Sequence, residues 1–148
     1  PERNSRMAFK ALLDHVPIPR EQIHTIAAER GAESAAAKYN TIIEAAMTFD
    51  MVLLGMGEDG HTASLFPGQQ HAPHAWAVPV HNAPKPPPER VSLTTRALSN
   101  TLAMLLMVTG EAKHEALQRW DNGEPLPVAT LQPKTPIALL LDRAAAGL

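Results

Sequence analysis

One loop holds most of the side chains able to move a proton. Residues 55–68 read GMGEDGHTASLFPG, which places a carboxylate, Asp59, two positions before an imidazole, His61, among glycines at 55, 57 and 60. An imidazole ordinarily titrates near about 6.5, so at neutral pH it can take a proton from water and return it later. The glycines let the backbone pass close to a ligand. Asp59 then either orients the ring or, with Thr62, caps the turn that follows and leaves His61 a bystander. A single histidine beside a carboxylate is a weak pattern, and spacing alone leaves both readings standing. Ser64 lies one helical turn from His61, but no Gly-x-Ser-x-Gly elbow surrounds it, so it reads as structural.

Two other chemistries fit the same letters less well. Gly55, Gly57 and Gly60 have the GxGxxG spacing of a dinucleotide-binding turn. That turn needs a full helix after it and an acidic residue about 20 positions further on. Here Pro67 and Gly68 interrupt any helix, and no Asp or Glu occurs between His61 and Pro88. A metal site built from Glu58, Asp59 and His61 with His71, His74 and His81 lacks the fixed offsets of metal-ligand histidines, because Pro73 parts His71 from His74 and prolines surround His81. Those three histidines read as solvent-exposed loop residues.

Such a pair is useful only at the end of a rigid element. Residues 49–54 form a nearly continuous apolar run closed by Gly55, the pattern of a central strand buried on both faces. Residues 102–109 read as a second buried strand ending at Gly110, with a helix over 111–120. Both strands deliver a glycine and then polar residues, and ligands of open α/β sheets collect where such strands end. Around them, a helix over residues 7–15 is stopped by Pro17 and Pro19. A strand follows at 23–26, then an alanine-rich helix at 33–47 free of Pro and Gly. Residues 76–80 are extended, 90–95 read as a strand, and a last strand at 137–141 leads into an alanine-rich end. The alternation predicts the α/β class, an open and mostly parallel sheet flanked by helices, as one domain over residues 1–148.

The 148 residues are 45% hydrophobic, enough to bury a core. The 13 basic and 15 acidic side chains are scattered and nearly balanced, net −2, so no extended cationic surface exists for nucleic acid or an anionic membrane. A small molecule is the expected partner. No apolar run reaches the ~18 residues of a membrane span, and the absence of cysteine is compatible with a reducing cytosol.

Three segments taken together resemble the 6-phosphogluconolactonases. These are residues 49–68, residues 84–94 (PKPPPERVSLT) and residues 108–113 (VTGEAK), in that order. Asn4 with Arg6 and Met7, and Glu29-Arg30-Gly31, are similar to family positions too, so the resemblance covers essentially the whole chain. Glucosamine-6-phosphate deaminases of the same superfamily share the Asp-Gly-His core but continue it differently, and residues 62–67 follow the lactonase pattern. The resemblance implies a sugar phosphate isomerase-like α/β fold, a cytoplasmic enzyme of the pentose phosphate pathway, a sugar phosphate lactone as substrate and no cofactor. It implies His61 as general base with Asp59 beside it and Arg90 and Lys113 at the substrate phosphate; the Gly57 to Gly60 turn is expected against the substrate, its glycine amides being one candidate for oxyanion donors that the sequence leaves unassigned. A guanidinium grips two phosphate oxygens at once and an ammonium adds a compact charge. Lys113 also lies just after Gly110, where free backbone amides attract an anion. Family members carry a further N-terminal strand, glycine- and serine-rich turn and helix that this sequence lacks, expected to hold part of the phosphate and to be supplied by the parent chain.

Overall fold

The computed structural model describes residues 4–46 and 48–148; Met47, the expected last residue of a helix, lies outside them. In chain order the regular elements are α1 (Asn4–Ala8), α2 (Ala32–Ala46), β1 (Phe49–Gly55), β2 (Ala77–Val80), β3 (Arg90–Leu93), α3 (Thr95–Ser99), β4 (Thr101–Val108), α4 (His114–Asp121), β5 (Ala138–Leu141) and α5 (Arg143–Ala146). The strands β1, β4 and β5 form a parallel sheet in that order, and β2 and β3 form a separate antiparallel pair. Register runs from Phe49 opposite Thr101 to Gly55 opposite Met107, and from Leu105 opposite Ala138 to Val108 opposite Leu141. The expected open, parallel, helix-flanked sheet is therefore present.

Its core lies on one side. Val52 and Leu54 of β1 and Met104, Leu106 and Val108 of β4 point into a cluster closed by Ala116 of α4, Leu126, Val128 and Ala145 of α5. On the opposite face Met51 and Leu53 are each 59% exposed, Leu140 is 55% exposed and Met107 is 44% exposed. Burial on both faces, expected for β1 and β4, is thus corrected: backbone alternation fixes which way side chains point, but a second cover must come from elsewhere. Each such side chain forgoes up to about 1.5–3 kcal/mol of burial.

The strand expected at residues 23–26 is absent as well. The segment carries no sheet pairing, and its attachment is a hydrogen bond from the Tyr39 hydroxyl of α2 to the His24 carbonyl at 2.8 Å. Apolar character cannot make a strand without a neighbouring ladder. The first helix begins at Asn4, earlier than expected, and continues as a wider π turn over Phe9–Leu13. Strand β3 stops at Leu93 because the Thr94 hydroxyl accepts from the Ala97 amide at 3.2 Å and starts α3. Helix α2 packs against β2 and β3, where the Asn40 amide bonds Trp76 and Ala77.

Candidate active site

The loop leaving β1 is folded by its own backbone. The Gly57 amide donates to the His61 carbonyl at 2.8 Å, and the Gly60 amide to the Gly57 carbonyl at 3.0 Å. Fully buried Thr62 ties the loop to its strand, donating to the Gly55 carbonyl at 2.9 Å. Ala63 adopts the left-handed region at φ 50°, a conformation uncommon for a residue with a Cβ. The Ser64 amide donates to the hydroxyl of buried Ser92 at 3.0 Å.

Two contacts set the geometry of His61. Oδ1 of Asp59 accepts from the His61 amide at 3.1 Å and meets His61 Nδ1 at 2.5 Å, while the Phe66 ring lies 4.7 Å away between centroids. Burial works to raise the Asp59 carboxyl, but the hydrogen bonds from the His61 ring and backbone outweigh it and hold the carboxyl below its ordinary range. Asp59 is therefore an anion that favours a proton on the facing Nδ1, the tautomer in which Nε2 is the accepting nitrogen. Among the described residues no partner is recorded for Nε2, and the side chain is 19% exposed. One carboxylate oxygen thus meets both the ring and the backbone amide of His61.

Glycines make the pair possible. A Cβ at Gly57 would lie 2.0 Å from His61 Nδ1 and 2.8 Å from Asp59 Oδ1, so only glycine admits the ring. Gly60 sits at φ +81°, with a Cβ position 2.7 Å from Leu126. Both glycine amides are engaged inside the turn. The expectation that they receive an oxyanion is corrected: their contribution is close approach.

Arg90 and Lys113 arrive at the same loop by different routes. The Arg90 guanidinium lies 5.6 Å from the centroid of Phe66, the ring that also packs on His61. It donates through Nε to the Pro87 carbonyl at 2.9 Å and through Nη2 to the Lys85 and Pro86 carbonyls at 2.6 and 3.1 Å. A run of prolines offers carbonyls without donors, and Arg90 supplies them. Lys113 Nζ lies 3.8 Å from Glu58 Oε1, and Lys85 Nζ lies 3.6 Å from Glu58 Oε2. The Gly110 amide, just before the turn that holds Lys113, donates to both carboxylate oxygens of Asp142 at 3.1 and 2.9 Å. Asp142 lies there because it also caps α5.

The remaining histidines lie apart from this chemistry. His81 is exposed and paired with Glu33 and Glu89, and His74 is exposed. His71 is half-buried rather than exposed, and burial lowers its pKa. Among the described residues no three metal-ligating side chains converge. Sequence reasoning assigned no part to Phe66, Glu58 or Lys85 in this site. Nothing in their spacing marks them, because Phe66 meets His61, Glu58 meets Lys113 and Lys85 meets Glu58 only once the loop is folded.

An α/β protein whose Asp59–His61 loop leaves β1, which among the described residues lies at the edge of the parallel sheet and not at the centre that the sequence suggested, is the class that fold and site define. The profile of the glucosamine-6-phosphate isomerases/6-phosphogluconolactonase family matches residues 1–140, and the chain belongs to that family. The 6-phosphogluconolactonase of Mycobacterium leprae is 38% identical over 99% of this chain and 66% of its own length. That of Homo sapiens is 40% identical over 93% of this chain and 58% of its own length. The crystal structure of 6-phosphogluconolactonase from Thermotoga maritima superposes with a TM-score of 0.87 at 29% identity, covering 93% of this chain and 64% of that one. The chain thus spans about three fifths to two thirds of the length of these relatives. The sugar phosphate isomerase-like architecture expected from the resemblance is the architecture observed. No helix among the described residues is long and apolar enough to cross a membrane.

Proposed function

We propose that this protein hydrolyses 6-phospho-D-glucono-1,5-lactone to 6-phospho-D-gluconate. The observation that carries the reading is His61, oriented through Nδ1 by Asp59 and open at Nε2, in a loop of lactonase pattern. Neutral His61 takes a proton from water at Nε2, the hydroxide adds to the lactone carbonyl, and the imidazolium returns its proton to the departing ring oxygen. Asp59 stabilises that imidazolium without being protonated itself. Lys113, with Arg90 close by, holds the phosphate and fixes the carbonyl beside His61, so positioning supplies much of the rate. Arg90 keeps its donors on the proline carbonyls or exchanges some of them for phosphate oxygens. The reading takes residues 1–148 as one lactonase domain, with a cytoplasmic setting that the cysteine-free composition allows and no nucleic-acid partner.

A second reading is a sugar-phosphate-binding module without turnover; the face of Met51, Leu53, Met107 and Leu140 is exposed. That face is a natural seat for the further strand–turn–helix segment expected of the family, which would bring part of the phosphate site. The two readings part in one assay, lactone hydrolysis by the intact protein corrected for spontaneous opening. Turnover above background is the expected result. Phosphogluconate binding without turnover would favour the module, and ammonia release from glucosamine 6-phosphate without lactone turnover would overturn both.

A further inference from the structure

Glu58 stands one residue before the acid–base pair and takes no part in it. Its two carboxylate oxygens instead face two ammonium groups, Lys113 Nζ at 3.8 Å on Oε1 and Lys85 Nζ at 3.6 Å on Oε2. Both separations exceed the 2.7–2.9 Å or so of a charge-assisted hydrogen bond, so the carboxylate gathers the cations without saturating their donors. The two lysines come from distant parts of the chain. Lys113 closes the turn Glu111–Lys113 that follows β4, and its side chain is 22% exposed. Lys85 belongs to the proline run, whose backbone is pinned where Arg90 Nη2 donates to the Lys85 carbonyl at 2.6 Å.

We infer that Glu58 is an internal stand-in for the substrate phosphate, and that Lys85 is a further phosphate-binding residue. This rests on the lactonase reading and deepens it. A phosphate monoester presents paired anionic oxygens, as a carboxylate does, but carries about −1.5 to −2 charge at neutral pH against −1 for Glu58. The dianion therefore displaces Glu58 and takes both ammoniums, each with three donors to give. In the empty site Glu58 keeps two like charges from repelling one another and holds Lys85 over the loop. It also competes with every phosphorylated ligand, so affinity is set below what the lysines alone would give. Arg90 acts on this site as a positioning residue, through the backbone of Lys85.

The stand-in has an unusual signature, because removing a charged residue at the rim of the site strengthens binding. The test is calorimetric titration of the intact protein with 6-phosphogluconate and with unphosphorylated gluconate, comparing wild type, Glu58→Gln and Lys85→Met. Glu58→Gln is expected to tighten 6-phosphogluconate binding about two- to fivefold, the span of an exposed ion pair, and to leave gluconate unchanged. Lys85→Met is expected to weaken 6-phosphogluconate about tenfold, as for a lost hydrogen bond to a charged group. Both effects shrink as salt is raised. If wild type binds 6-phosphogluconate but Glu58→Gln binds it no better, or Lys85→Met binds it equally well, this inference fails and the lactonase reading survives. If wild type binds neither compound, both fail together.

Discussion

Among the described residues two histidines, His61 and His81, meet carboxylates, and they do so in different ways. His61 is largely buried, gives Nδ1 to Asp59 at 2.5 Å, and has no recorded partner at Nε2 among the described residues. His81 is exposed and uses both nitrogens, Nδ1 on Glu89 at 2.6 Å and Nε2 on Glu33 at 3.0 Å. An imidazole held on both sides is a clasp, here joining the first turn of α2 to the residue before Arg90. His61, held on a single side, is under the proposed function a base with a direction. His114 follows the clasp pattern, its nitrogens meeting the Ala145 carbonyl and Gln118. What sets His61 apart from His81 and His114 is therefore the nitrogen without a recorded partner, which under the proposed function is the one that acts on water.

Crowding His61 should abolish its advantage most completely. A Cβ at Gly57 cannot coexist with the ring, so Gly57→Ala is expected to lower kcat for lactone hydrolysis by about 100-fold, the cost of a misplaced catalytic group. Circular dichroism close to wild type would show that the loop, and not the fold, had moved. Asp59→Asn keeps the shape but removes the anion that fixes the tautomer, and kcat should fall about tenfold or more. Little change in KM would accompany it, since Asp59 does not reach the phosphate. An unaltered kcat would mean that Asp59 only shapes the turn.

The clasp should respond to pH and not to substrate. Hydrogen bonds from the His81 ring to Glu33 and Glu89, with the charges of both carboxylates, raise its pKa above the ordinary value. A raised folded-state pKa adds stability that is present in full below the unfolded value, about 6.5, and is lost as pH climbs through the raised one. His81→Gln should therefore lower Tm slightly under mildly acidic conditions and not at all under alkaline ones. Because the ring is exposed, the shift should be small. A drop in kcat as large as that of Asp59→Asn would erase the distinction between the two histidines.

Much of this was readable in the residues themselves. The apolar run of β1 closed by Gly55 announced a strand delivering a loop, and three glycines around Asp59 and His61 announced a place where backbone must come close. Local chemistry sufficed there, because the Asp59 contact spans two residues and the steric demand falls on Gly57. What stayed hidden depends on distant partners. Alternation in β1 and β4 could not reveal that Met51 and Leu53 lack a cover, and residues 23–26 had strand character without a neighbouring ladder. The guanidinium of Arg90 turned to proline carbonyls, and the amide of Gly110 to Asp142, because unsatisfied groups elsewhere reached them first.

The central claim is that the open nitrogen of His61 activates water. It is tested most directly by the single-turnover rate of lactone opening in His61→Ala beside wild type, with 6-phosphogluconate affinity measured on the same samples. A fall of about 100-fold or more at unchanged affinity is the predicted result. A variant that opens the lactone as fast as wild type would contradict it.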